Sequence, residues 1–146
     1  MSVIKEAFDA LLKKKELPAQ YLAIEDGHHL YSFQFRLNQT QALMVEVILQ
    51  NTDAPYCDAQ VVYRQIHMVS DYAKRAKALE VMNDLNEMKT GYYALYLAGD
   101  GEMFLRTLLR VGVDPQPLYE TIVYGSGIAK GLQADLVAAL GASAKK

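Results

Sequence analysis

The chain has 146 residues, of which 51% are hydrophobic and 22% are charged, and its formal net charge is −2. This length fits one domain with its own core, and the composition is unlike that of a disordered chain. The slight negative charge gives no basic field for nucleic acid or anionic membranes, so we expect neither as a partner. The single cysteine, Cys57, excludes an internal disulfide and a cysteine-rich zinc site.

The first predicted element is a helix near the N-terminus. Ile4, Phe8, Leu11 and Leu12 recur at a spacing that places them on one face, and Ser2 is the expected N-cap. Lysine and acidic residues are mixed into this segment, which is unlike a secretory signal. No stretch reaches the roughly eighteen apolar residues that would span a bilayer, so we expect a cytoplasmic protein.

Four strands are predicted next, because the hydrophobic period changes to two. The turn pair Asp26-Gly27 separates the first strand from the second. No helical crossover interrupts the series, which favours an antiparallel meander. The strands are expected at 21–25, 29–37, 43–49 and about 59–68.

The rest of the chain predicts a helix over 70–89, a hairpin with strands at 93–98 and 103–109, and a long last helix. Asn86 projects from the apolar side of the second helix, so we expect a buried amide that binds the backbone of the following strand. Asp114 and Pro115 mark the start of the last helix. Its apolar stripe comprises Leu118, Ile122, Gly125, Ala129, Leu132, Leu136 and Leu140.

The predicted fold class is therefore α+β. An antiparallel sheet of about six strands packs with three helices, in the order helix, four strands, helix, two strands, long helix. Residues 1–141 are expected to form a single domain, and residues 142–146 a flexible C-terminal tail.

The string Gly125-Ser126-Gly127, followed by Lys130-Gly131, superficially resembles a phosphate-binding glycine loop. Such a loop opens a βαβ unit, and too little chain follows here to complete one. The string instead favours a helix whose small residues admit a close neighbour. Gly125 and Ala129 are accordingly candidate interface residues.

Tyrosines are numerous, and Tyr92, Tyr93 and Tyr96 fall on one predicted hairpin. They lack the interleaved lysines and arginines of a single-stranded nucleic-acid platform, which favours core or interface roles. Tyr93 and Tyr96 therefore join the candidate interface.

The spacing of the histidines and the cysteine does not favour a metal site or a catalytic nucleophile. His28 and His29 are neighbours in a strand and point to opposite faces, and His67 and Cys57 have no ligand spacing. Ordinary strand histidines and a structural thiol are the favoured interpretation, and no cofactor, metal site or catalytic residue is predicted.

The predicted element order, with Val81-Met82-Asn83-Asp84-Leu85-Asn86 closing the second helix just before a strand, resembles the YbjN-like bacterial proteins, whose fold is that of type III secretion chaperones. The resemblance covers most of the chain in topology, and its residue content rests mainly on Asn83, Leu85 and Asn86. It implies a small α+β domain, often dimeric, that acts through protein contacts and has no catalytic residues.

The leading functional hypothesis is a non-enzymatic protein-interaction domain, chaperone-like or regulatory, that pairs with itself as a homodimer or with another protein. The alternative is a small-molecule binding domain. Its apolar pocket would lie between the sheet and the helices and be lined by Tyr31, Phe33, Tyr96 and Met103.

Overall fold

The computed structural model describes residues 2–36, 39 and 41–144. The chain has an α+β fold in which a six-stranded antiparallel sheet packs with three helices, in the predicted order. The elements are α1 (Val3–Lys14), β1 (Gln20–Ala23), β2 (His29–Arg36), β3 (Ala42–Leu49), β4 (Tyr56–Met68), α2 (Arg75–Met88), β5 (Ala94–Leu97), β6 (Glu102–Gly112) and α3 (Gln116–Leu140).

The strand order in the sheet is β1-β2-β3-β4-β6-β5, and every neighbouring pair is antiparallel. The first four strands form the predicted meander. The hairpin then joins the sheet through its second strand, β6, which leaves β5 at the edge. β5 is much shorter than β6, and their pairing ends at Ala94 and Arg106.

One face of the sheet, here called the helix face, carries most of the core. In α1 the Ser2 hydroxyl accepts a hydrogen bond from the Lys5 amide at 3.2 Å, which confirms the predicted cap. The Phe8 ring meets the edge of the Tyr31 ring at 4.9 Å. Alternate strand positions point to this face, and its buried residues form one hydrophobic cluster with those of the helices.

α2 begins later than predicted. Tyr72–Lys74 form a 3-10 turn that leads directly into the helix, and the Asp71 carboxylate caps this turn by accepting from the Ala73 amide at 3.0 Å. Leu79 of this helix is 50% exposed. α2 packs against β5 and α3, and Ala78 and Met82 are its buried residues.

Two further boundaries differ by small amounts. α3 begins at Gln116, whose amide donates to the Asp114 carboxylate at 3.0 Å, so Pro115 precedes the helix. The tail expected to be free is attached in part, because the Met68 amide donates to the Ser143 hydroxyl and the Ala144 amide donates to the Met68 carbonyl. The predicted end of the second strand, residue 37, lies outside the described residues, as do residues 145–146.

Candidate functional site

The middle of α3 lies so close to the sheet that only glycine fits at position 125. A Cβ atom on Gly125 would lie 2.5 Å from both the Tyr63 ring and the Tyr93 hydroxyl. The Tyr63 hydroxyl donates to the carbonyl of Ile122, and the Tyr93 hydroxyl donates to the carbonyl of Thr121 at 2.6 Å. Burial raises the pKa of both phenols, so they remain protonated donors. The hydrogen bonds of these two tyrosines thus hold α3 against the helix face.

Three of the four predicted interface residues therefore make their contacts within the chain. Gly125, Ala129 and Tyr93 are buried between α3 and the sheet, so none of the three is exposed at the surface of the chain. The close neighbour that the small residues admit is the sheet of the same chain. The Gly125-Ser126-Gly127 string lies inside α3, which confirms the packing interpretation over a phosphate loop.

Tyr96 is the fourth predicted interface residue, and it remains at the surface. It lies on the face of the sheet opposite Tyr93, here called the open face, because neighbouring strand positions alternate. Its ring is 38% exposed, stacks on Phe104 with a centroid distance of 5.3 Å, and lies 4.6 Å from the Arg106 guanidinium. Tyr96 is thus accessible to a partner.

The pocket expected between sheet and helices is not formed by the residues named for it. Tyr31, Phe33 and Met103 are buried in the core, where the Phe8 ring packs on Tyr31. Tyr96 lies on the other face. These four side chains therefore share no cavity.

Asn86 binds the following strand, as the sequence predicts, and in doing so caps the outer edge of β5. Its Oδ1 atom accepts from the Leu95 amide at 2.7 Å, and its Nδ2 atom donates to the Leu95 carbonyl at 3.0 Å. The side chain is half-buried. One amide side chain therefore takes the place of a seventh strand at this position.

The same contact shows which way the backbone of β6 points. Because the Leu95 backbone faces outward, the alternation of an antiparallel ladder turns Arg106, the partner of Ala94, toward β5. Leu108 and Arg110 point to the same side, since they follow at intervals of two. β5 has ended there, so no strand faces them.

The pairing of β4 supports this orientation independently. The Gln50 amide donates to the Asp58 carbonyl at 3.0 Å, and the Asp58 amide donates to the Gln50 side chain at 3.0 Å. Asp58 thus turns its backbone toward β3, and its partner Arg110 turns away from β4. In the described part of the chain, no hydrogen bond on this outer side reaches the backbone of Leu108 or Arg110.

A groove of about 700 Å³ lies beside this free edge, between β6 and the first half of α3. Tyr92, which leads into β5, lies at one end of it, with its ring 5.4 Å from the Tyr124 ring. The Tyr124 hydroxyl lies against Gly91, whose φ of +57° and lack of a Cβ leave room for it. The groove is lined by Tyr92, Thr107, Leu108, Leu109, Pro117, Glu120, Thr121 and Tyr124.

The groove is open to solvent and mostly apolar. Tyr92 is 78% exposed, Leu108 68% and Tyr124 50%. Glu120 is the charged side chain of its lining, and it accepts from the Gln116 side-chain amide at 3.2 Å. Exposed aromatic and aliphatic groups next to unpaired backbone are features of a binding surface.

A row of four apolar side chains and Gln60, here called the apolar row, crosses the open face and ends at the free edge. The strand register aligns Leu22, Leu30, Ile48, Gln60 and Leu108, one residue from each of five neighbouring strands. Leu22 is 60% exposed, and Leu30 and Ile48 are half-buried. The row joins the open face to the groove.

Arg64 and Glu102 form an ion pair on the open face. The Glu102 carboxylate is buried and accepts from the Arg64 guanidinium at 2.7 Å and from the Gln65 amide at 2.8 Å. Gln65 has a φ of +53° at the irregularity in the register between β4 and β6. Glu102 therefore holds this bulge in place.

The histidines and the cysteine lie apart. Cys57 and His67 lie near opposite ends of β4, about 30 Å apart at the rise of a strand. Burial raises the pKa of the Cys57 thiol, which disfavours the thiolate. His29 contacts the Tyr21 hydroxyl at 2.6 Å. Among residues 2–36, 39 and 41–144, no cluster of three such side chains could hold a metal ion.

No helix in the described ranges is long and apolar enough to cross a membrane. Comparison with models of known protein families and with curated proteins finds no match to this chain. The candidate binding surfaces of the chain are the open face, the free edge of β6 and the groove beside it.

Proposed function

We propose that this chain is a non-enzymatic protein-interaction domain, chaperone-like or regulatory, whose partner is a second copy of itself or another protein. The observation that carries the proposal is the apolar row of the open face, which runs into the uncapped edge of β6. Partner chains commonly cover exposed apolar side chains that lie beside unpaired backbone. The resemblance to YbjN-like proteins and the cytoplasmic location are in keeping with this role and stay predictions.

For a homodimer, the open face is the surface that we assign to the contact. A two-fold axis brings the same row of both copies together, so Leu30 and Ile48 of each chain would pack on their counterparts. Light scattering coupled to size exclusion tests this. We expect a mass of twice that of one chain, and a monomer for Ile48→Lys.

The control for this experiment is Leu79→Lys. Leu79 is similarly apolar and 50% exposed, but it lies on α2. This variant should stay dimeric. A wild-type monomer, or a dimer that both substitutions leave intact, would contradict the assignment to the open face.

A second candidate function is small-molecule binding, which the volume of the groove favours. Its volume of about 700 Å³ lies within the usual range of ligand pockets, roughly 300–1,000 Å³. Native mass spectrometry of the same peak distinguishes the two functions. A retained mass that disappears in Tyr124→Ser would favour the ligand, and the bare chain mass would favour the protein contact.

A further inference from the structure

We infer that the free edge of β6 and its groove bind an extended peptide segment of a partner protein, which adds to the sheet as a seventh strand. This inference rests on the proposed function and names the kind of partner. The backbone carries the first step. Leu108 and Arg110 present amides and carbonyls in the plane of the sheet, and another extended chain can pair with such a row.

The other exposed strand edges of the sheet are protected, and this contrast supports an open edge at β6. At β5 the outward amide and carbonyl of Leu95 are both bonded to Asn86. At the opposite edge, β1 has only four residues and starts just after Pro18, and both features discourage strand addition. Among the described residues, the segment of β6 beyond Arg106 has no side-chain cap on its backbone and no proline next to it in the sequence.

The groove favours a peptide over a second copy of β6. In a second copy, Thr107 and Val111 of the incoming strand would already be buried in that copy's own core, at 7% and 4% exposure. They could not also fill a groove of about 700 Å³. A peptide that is not part of a sheet brings unused side chains, and every second one would enter the groove.

The lining of the groove specifies the chemistry of that peptide. The lining residues Tyr92, Leu109 and Tyr124 favour apolar side chains at alternate positions of the peptide. The Glu120 carboxylate faces the same space with one neutral hydrogen-bond donor, the Gln116 amide, so a lysine or arginine among the groove-facing positions is complementary. On the other side of the peptide, side chains would extend the apolar row at Leu108.

The test uses a displayed library of random ten-residue peptides, selected on the full chain. We expect peptides with alternating apolar residues and at least one basic residue. Binding to Leu108→Pro should be about tenfold weaker, because proline removes the outward amide that an added strand needs. Leu108→Ala keeps the amide and should bind within about threefold of the wild type.

A second measurement avoids dependence on a proline variant. Bound peptide should slow hydrogen exchange at the Leu108 and Arg110 amides of the wild-type chain and leave the Leu95 amide unchanged. Glu120→Lys should weaken the basic peptides and not those without a basic residue.

The outcomes separate this inference from the function on which it rests. Selected peptides that bind Leu108→Pro as tightly as the wild type, or that leave both β6 amides unprotected, would overturn the edge as the site while protein binding stands. A library that yields no peptide would overturn the inference. If the chain is also a monomer without partners, the proposed function fails as well.

Discussion

The outward backbone groups of β5 and β6 differ, because those of β5 are hydrogen-bonded and those at the end of β6 bond to none of the described residues. At β5 the outward backbone of Leu95 is bonded twice to the Asn86 side chain. In β6, beyond its pairing with β5, the outward backbone of Leu108 and Arg110 faces a groove instead. Since an exposed edge can pair with other chains, the outer backbone of β5 is closed to such pairing, and that of β6 is available for the contact that we propose.

The largest effect is expected where α3 forms the wall of the groove. Gly125→Ala places a Cβ 2.5 Å from two tyrosines, so α3 must move, and we expect a loss of about 3 kcal/mol. Gly127→Ala is the matched control, because nothing lies within 4 Å of its Cβ. That variant should gain about 0.5–1 kcal/mol from helix propensity. Urea denaturation measures both, and equal stabilities would contradict the close docking of α3.

The cap on β5 gives the next largest effect. Asn86→Ala leaves the Leu95 amide and carbonyl without their partner, and we expect a loss of about 2 kcal/mol in the free energy of unfolding. Asn86→Asp keeps the acceptor for the Leu95 amide but sets a carboxylate oxygen against the Leu95 carbonyl, so it should not restore the lost stability. Asn83→Ala changes an exposed position on the same helix and should stay within about 0.5 kcal/mol. An Asn86→Ala variant as stable as Asn83→Ala would show that the cap does not hold the edge.

Acidification should weaken the whole fold and so limits the pH at which the two edges can be compared. Burial lowers the pKa of His29 and His67 below the ordinary 6.5. The unfolded chain therefore binds more protons below pH 6.5, and stability falls as the pH drops through that window. Melting temperatures at pH 5 and pH 7.5 check this, and His67→Gln should reduce the difference. A higher melting temperature at the lower pH would contradict the predicted sign.

The smallest effect on stability is expected at the open edge itself. Leu108→Lys changes a side chain that is 68% exposed, so the free energy of unfolding should change by less than about 0.5 kcal/mol. A charge on an edge strand opposes unwanted pairing, and the variant should aggregate more slowly at high concentration. Denaturation and turbidity measure the two effects. A large loss of stability would mean that Leu108 is packed rather than open.

The elements could be predicted from local patterns, and the Asn86 contact was foreseen because a polar residue on an apolar helix side needs partners. The free edge could not be predicted in this way. The sequence predicts hairpin strands of similar length, at 93–98 and 103–109, whereas Tyr93 and Ala98 stay outside β5 and β6 continues to Gly112.

For a related reason, the sequence did not show that three of the four candidate interface residues lie inside the fold. The small residues Gly125 and Ala129 indicate a close neighbour, but spacing alone does not say whether that neighbour belongs to the same chain. Tyr63, far away in the sequence, decides it by donating to Ile122. Likewise, only the strand register brings Leu108 into line with Ile48.

Amide hydrogen exchange on the free wild-type chain at pH 7.5 tests the contrast between the two edges most directly. The Leu95 amide, bonded to Asn86 at 2.7 Å, and the Leu109 amide, which faces β4, should exchange slowly. The Leu108 and Arg110 amides should exchange fast. If they exchange as slowly as the Leu109 amide, the edge of β6 is already covered, and it cannot be the open docking site that we propose.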